Sequence, residues 1–192
     1  EAPDRIAAIV TRSARSGQET RYRAPLFADC TGDAVLARMM GCETMYGREG
    51  HDRFGEQLAI PASDRQVMGH SVLWYAKDRG RPCPFPDVDW GIEFTDETAL
   101  YIRGGDWEWE SGQYRDQADE TEAIRDYGMM AVYANWSFLK NRSARRAEWA
   151  NDELDWVSPI GGKRESYRVA GDHILTQTEV EAMTVYPDAT AC

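Results

Sequence analysis

Long apolar runs are missing from these 192 residues. No stretch approaches the roughly 20 consecutive apolar residues that a membrane-spanning helix needs. Histidine is scarce: His51, His70 and His173 are the only three, and they are scattered. The four cysteines, Cys30, Cys42, Cys83 and Cys192, are equally dispersed and form no Cys-x-x-Cys pair. Zinc and iron–sulfur sites need several soft ligands brought together, so no metal centre is expected. Unpaired, mostly buried thiols are the simpler reading, and they lean toward a reducing, cytoplasmic compartment. Basic residues are in the minority, 22 against 33 acidic ones, which leaves a net charge of −11. A surface of that sign repels phosphate backbones and anionic headgroups, so neither nucleic acid nor a membrane is an expected partner. The local cluster Arg142, Arg145 and Arg146 reads as a solvated helix end. No internal repeat or low-complexity tract occurs. The opening Glu1-Ala2-Pro3-Asp4 carries neither Met nor a signal pattern, as expected of a processed chain or an excerpt.

What is present is an ordinary globular balance. Hydrophobic residues make up 42% and charged residues 29%, and seven Trp, nine Tyr and five Phe supply large side chains for a core. The length suits one domain, or a small domain with flanking pieces of another. Residues 5–11 and 20–29 read as two strands around a turn at 13–18, with Ser16-Gly17 at the bend. Tyr22, Ala24, Leu26 and Ala28 share one face by period two, and Leu26-Phe27-Ala28 suits a strand entering a buried sheet. A short helix over 34–40 should start at Asp33 or Ala34 and stop at Gly41. Further strands are expected at 71–75, 92–95, 100–103, 107–110, 166–169 and 173–175, with an apolar segment at 154–157. The clearest helix spans about 120–140, capped by Asp116 or Asp119, with Ile124, Tyr127, Ala131, Val132, Ala134, Phe138 and Leu139 as its apolar stripe. A last helix opens at Thr176, with Glu179 in the capping-box place.

Two segments carry chemistry. Asp29-Cys30-Thr31-Gly32-Asp33-Ala34 ends a strand and turns straight into a helix, which leaves amides and a carboxylate at a sheet edge where ligands bind in open α/β sheets. On physical grounds alone, an ordinary turn with Asp33 as helix cap is the better reading. In the second segment, residues 159–168, an extended backbone would put Arg164, Ser166 and Arg168 on one face and Lys163, Glu165 and Tyr167 on the other. Two guanidinium groups flanking a hydroxyl could clamp a carboxylate or phosphate. A strand edge whose arginines pair with Glu165 or Asp172 explains the same alternation equally well.

Together these segments resemble a family of bacterial FAD-dependent oxidoreductases. The resemblance runs through Asp29 to Ala37, Gly47-Arg48-Glu49-Gly50, Met68-Gly69, Trp107-Glu108-Trp109-Glu110 with Gly112, Asp116, Glu122-Ile124-Arg125-Asp126 and Leu154-Asp155-Trp156-Val157. It is strongest at Gly162-Lys163-Arg164-Glu165-Ser166, Gly171-Asp172 and Leu175-Thr176. It covers nearly the whole chain in order. The family pattern has Gly where Ala34 stands, often Arg at Tyr167, and an aromatic at His173. The resemblance implies an α+β architecture: the edge of a Rossmann-type FAD-binding domain plus an inserted mixed sheet-and-helix domain on the substrate side. Residues 1–37 would be the tail of the flavin domain, 38–158 the insertion, and 159–192 the return toward the flavin. Thr31, Gly32 and Asp33 would lie on the cofactor side. Arg164, Glu165, Ser166 and Arg168 would face substrate or flavin. No catalytic residue can be singled out, and the substrate class is a small organic molecule. No Gly-x-Gly-x-x-Gly occurs, so the resemblance implies an internal piece of such an enzyme, one not expected to hold FAD alone.

The alternative is a carbohydrate-binding module, with Trp74, Trp90, Trp107 and Trp109 stacking on sugar rings from β segments. Against it, large aromatics are more often core residues, and Trp107 and Trp109 on one strand face would make an ordinary buried pair.

Overall fold

The computed structural model describes residues 5–187. They form a mixed α/β structure with three small antiparallel sheets and four helices. Two compact units result, one from Glu1–Met45 with Tyr167–Ile174, the other from Tyr46–Ser166 with Leu175–Cys192. The thiol of Cys192 lies outside the described residues. Of the other three, Cys83 is buried but Cys30 and Cys42 are exposed, against the expectation of mostly buried thiols.

In the first unit, β1 (Ile9–Arg12) pairs antiparallel with β2 (Glu19–Tyr22), Ile9 opposite Tyr22 and Arg12 opposite Glu19. The hairpin turn is the one the sequence predicts: the Ser13 amide donates to the Gln18 carbonyl and the Gly17 amide to the Ser13 carbonyl. Both strands are shorter than expected. Pairing stops at Tyr22, and Leu26 is 86% exposed rather than buried. An alternating segment becomes a strand only where a neighbour supplies hydrogen bonds, and residues 23–29 have no paired strand among the described residues. The predicted turn and helix follow, with α1 at Val35–Met39. Its start is one residue late because Ala34 sits at φ 50°, ψ 38°, in the left-handed region, which a right-handed helix cannot include. Gly41 ends it at φ 74°, donating to the Arg38 carbonyl while Cys42 donates to that of Ala37. These two bonds satisfy the last carbonyls, and the left-handed residue between them is best served by Gly. The short strands β3 (Thr44–Met45) and β7 (Arg168–Val169) pair antiparallel, Thr44 opposite Val169. The expected strand at 166–169 thus shrinks to two residues, and 173–175 is not a strand.

The second unit is organised by its long helix, α3 (Thr121–Asn141), within one residue of the predicted span. Ile124, Ala131, Val132, Ala134, Phe138 and Leu139 are buried as the stripe requires, whereas Tyr127 is about half exposed. Asp116 accepts from the amides of Ala118 and Asp119, so it caps the turn leading into the helix, and Glu120 reaches back to the Asp116 amide. The helix covers a sheet in which β4 (Trp74–Asp78) lies between β5 (Gly104–Gly105) and β6 (Asp152–Val157). Val72, Trp74, Val132, Trp136, Leu139 and Trp149 make the centre of the core. Trp136 meets Trp74 at 6.2 Å and Trp149 edge-on at 5.8 Å. The helix and the segment leading into β4 approach so closely that a Cβ at Gly128 would stand 2.6 Å from Val72 Cγ2.

The strand expected at 71–75 begins three residues later, since Ser71 makes only a single bridge to Gly162. Segments 92–95, 100–103 and 107–110 are not strands. Trp109 has φ 57°, which turns the chain and separates it from Trp107. Trp109 stacks on Trp74 at 6.0 Å, while Trp107 is 58% exposed, so they do not form the expected buried pair. A four-residue helix, α2 (His51–Phe54), has no counterpart among the predicted elements. The last helix, α4 (Gln177–Glu181), carries the predicted capping box, with Glu179 accepting from the Thr176 amide at 2.8 Å. Glu56 anchors it by accepting from the Gln177 amide at 2.6 Å.

Candidate functional site

The turn before α1 is built by Asp29 and Thr31. One Asp29 oxygen accepts from the Thr31 amide at 3.0 Å and its hydroxyl at 2.7 Å; the other accepts from the Ala37 amide at 3.1 Å. The Thr31 hydroxyl in turn accepts from the Val35 amide at 2.9 Å. The helix start is therefore capped by Asp29 through Thr31. Asp33, the expected cap, does not fill that place: the N-cap position is Ala34. The signal that sequence reasoning missed is the Asp-x-Thr spacing itself, a short side chain hydrogen-bonding the backbone two residues on. Gly32 offers an open face, since an added Cβ there would meet nothing within 4 Å.

A flavin pyrophosphate needs uncommitted amides at a helix start. Here the Thr31, Val35 and Ala37 amides already donate to Asp29 or Thr31, and the helix has only five residues. Those three amides are therefore committed within the turn.

Asp29 is held below the usual carboxylate range, chiefly by the Thr31 hydroxyl and then by the Ala37 and Thr31 amides. A depressed folded-state value stabilises the turn above the unfolded carboxyl range, near about 3.9, and is lost as pH falls through the folded value. The Thr31 and Ala37 amides should therefore stay protected at neutral pH and shift together in an NMR titration only below about pH 4. Asp29→Asn should abolish that joint transition; its persistence would assign it to another group.

The second segment does not run as a continuous strand. Gly162 is bridged to Ser71 through both backbone bonds, but residues 163–167 are irregular, and strand structure resumes only at Arg168. Arg164 is exposed and Ser166 is 3% exposed, so the conditional alternating face over these residues does not form. Arg164 and Arg168 also belong to different units. The Arg164 guanidinium lies 4.8 Å from the centre of the Trp107 ring. Glu165 accepts from the Met68 amide at 3.0 Å, which ties the segment to the loop before β4. Within the first unit, Tyr167 carries the Arg38 guanidinium 3.9 Å above its ring. At the position where the family pattern often has Arg, a cation is thus supplied from α1. Neither Trp107 nor Arg38 could be placed by sequence periodicity, because each meets its partner across a long chain separation.

Two of the histidines take structural places: His51 Nδ1 bonds the Glu56 carbonyl at 2.7 Å, and His70 is 1% exposed, whereas His173 is exposed. Among the described residues no group of three His, Cys, Asp or Glu side chains could hold a metal ion. Of the four tryptophans considered for sugar stacking, Trp74 belongs to the core and Trp109 packs against it, while Trp90 and Trp107 are exposed.

A family model described as FAD dependent oxidoreductase matches residues 1–192. No curated protein matches the chain. No solved structure matches it either. On that full-length match, the chain belongs to the FAD-dependent oxidoreductase family.

Proposed function

We propose that this chain is the substrate-side portion of a flavin oxidoreductase acting on a small organic molecule, and that it does not retain FAD by itself. Residues 1–37 continue a Rossmann-type flavin domain, 38–158 form the insertion, and 159–192 return toward the cofactor. The bound flavin of such an enzyme supplies the redox chemistry, and the protein supplies binding, orientation and electrostatics. The observation that carries this reading is the Arg164–Trp107 pair. An exposed guanidinium held over an exposed indole presents a flat apolar face beside a fixed positive charge, and it does so in the segment of strongest family resemblance. Such a contact contributes about 0.5–1 kcal/mol at an exposed site, enough to bias the Arg164 rotamer without fixing the fold. Glu165 ties this segment to the Met68 amide, and Ser166, next in the chain, is buried. Arg168, with Thr31, Gly32 and Asp33, stands on the flavin side.

The test uses the longest flavin-carrying form of the protein. Arg164→Met should leave the melting temperature unchanged and lower kcat/KM by at least about tenfold, a loss of about 1.4 kcal/mol of transition-state stabilisation. Full activity in both Arg164→Met and Arg168→Met would overturn the assignment. Loss of flavin without loss of fold would move these residues to the cofactor. The 192-residue chain, purified alone, should show no flavin band after gel filtration, and a stoichiometric band would overturn the reading that it cannot hold FAD.

A further inference from the structure

The hairpin β1–β2 has almost no core of its own. Every residue of its two strands is exposed except the half-buried Ile9, and a two-stranded hairpin by itself is marginally stable in water. It is also basic. Arg12, Arg15, Arg21 and Arg23 lie on or beside it, all exposed, against one acidic residue, Glu19. By register, Arg12 and Arg21 share a face with Val10 and Glu19. None of the four arginines makes an ion pair among the described residues, although Glu19 stands opposite Arg12 in the ladder.

The complement of that face lies on the same chain. The first unit has seven basic and seven acidic residues, so the net charge of −11 falls on the second. There, no Lys or Arg occurs from Pro82 to Ile102, a stretch with five acidic residues. Asp87 of this stretch pairs with Arg142, and Asp96 accepts from Tyr101 and Ser143. Asp89 and Glu93 are exposed and have no partner among the described residues. Trp90, between them, is 65% exposed. The loop is nevertheless fixed on both sides of the indole. The Val88 amide donates to Ser137 Oγ on α3 at 2.8 Å, and an added Cβ at Gly91 would stand 2.8 Å from Ala134 Cβ on the same helix. A large aromatic held in water beside open carboxylates suits arginine, which pairs with carboxylates bidentately and stacks on indole rings. Aromatic anchors of this kind concentrate the energy of protein interfaces. We propose that the arginine face of the hairpin docks on the Asp89-Trp90-Glu93 loop of a second copy of this chain. Both halves of the contact are present on one chain, and the approach of hairpin to loop is attractive where two acidic units would repel. The inference does not depend on the flavin or on the Arg164 reading.

The experiment is sedimentation equilibrium of the 192-residue chain at low and high salt. At low salt the mass should rise with concentration, with Kd on the order of 100 μM, as suits a small contact. In about 1 M salt, where the screening length falls to about 3 Å, the association should weaken by at least about tenfold. The double variants Arg12→Glu/Arg21→Glu and Asp89→Arg/Glu93→Arg should each sediment as monomers, with melting temperatures unchanged because all four positions are exposed. An equal mixture of the two variants should associate again, since each then presents the charge that the other has lost. That recovery also shows both variants to be folded. A chain that stays monomeric at low salt up to about 1 mM, association indifferent to salt, a variant that associates as the parent does, or a mixture that stays monomeric would each overturn the inference.

Discussion

Arg103→Met should lower the unfolding free energy of the second unit by about 3 kcal/mol, the low end for breaking a buried ion pair. The Asp152 side chain is 1% exposed, and Arg103 meets both of its oxygens, Nε to Oδ1 at 2.5 Å and Nη2 to Oδ2 at 3.0 Å. Removing the guanidinium leaves a buried carboxylate without its bidentate partner and with the neighbouring Lys140 ammonium as counter-charge. Arg103 itself is about half exposed, which is why the low end applies. The pair also fixes geometry: Asp152 opens β6, and its backbone carbonyl accepts from Lys140 Nζ at 2.7 Å near the end of α3. Chemical denaturation of Arg103→Met and of the double variant Arg103→Met/Asp152→Leu makes the check. The double variant should recover most of the loss, because an apolar pair of similar volume carries no desolvation cost. A loss under about 1 kcal/mol in Arg103→Met would show the pair to behave as a surface ion pair instead.

Trp136→Ala should be costlier, about 3–5 kcal/mol, the range for deleting a large aromatic from a packed core. Trp136 is 1% exposed and stands between Trp74 and Trp149, so its removal opens a void that α3 and the sheet cannot close without moving. Its indole nitrogen has no hydrogen-bond partner among the described residues. Trp136→Phe should therefore keep most of the stability, the loss being packing rather than a bond. Trp107→Ala, at an exposed ring, should change the melting midpoint little. Thermal unfolding of the three variants gives the order directly, and a Trp107 variant as damaging as Trp136→Ala would contradict this account of the core.

The helices were legible wherever a local rule was enough. Thr176 and Glu179 form their capping box, Gly41 stops α1, and the stripe along α3 is buried at nearly every predicted position, because each depends on residues within a turn or two of one another. The strands were less legible. Residues 107–110 alternate as a strand should, yet Trp109 turns at positive φ to reach Trp74. Residues 23–29 alternate too, but among the described residues no strand pairs with them. Alternation states which faces could be buried and says nothing of whether a partner is there.

The sequence by itself determined the family, through motifs in order along nearly the whole chain, together with the hairpin turn, α3 and α4. All of these are short-range or linear properties, set by backbone preference, capping and period. Only the tertiary structure decided which side chains meet: Arg164 with Trp107, Arg103 with Asp152, and Asp29 with the α1 amides in place of Asp33. Contacts between residues tens of positions apart depend on how elements pack, and packing is a property of the assembled core rather than of any window of sequence.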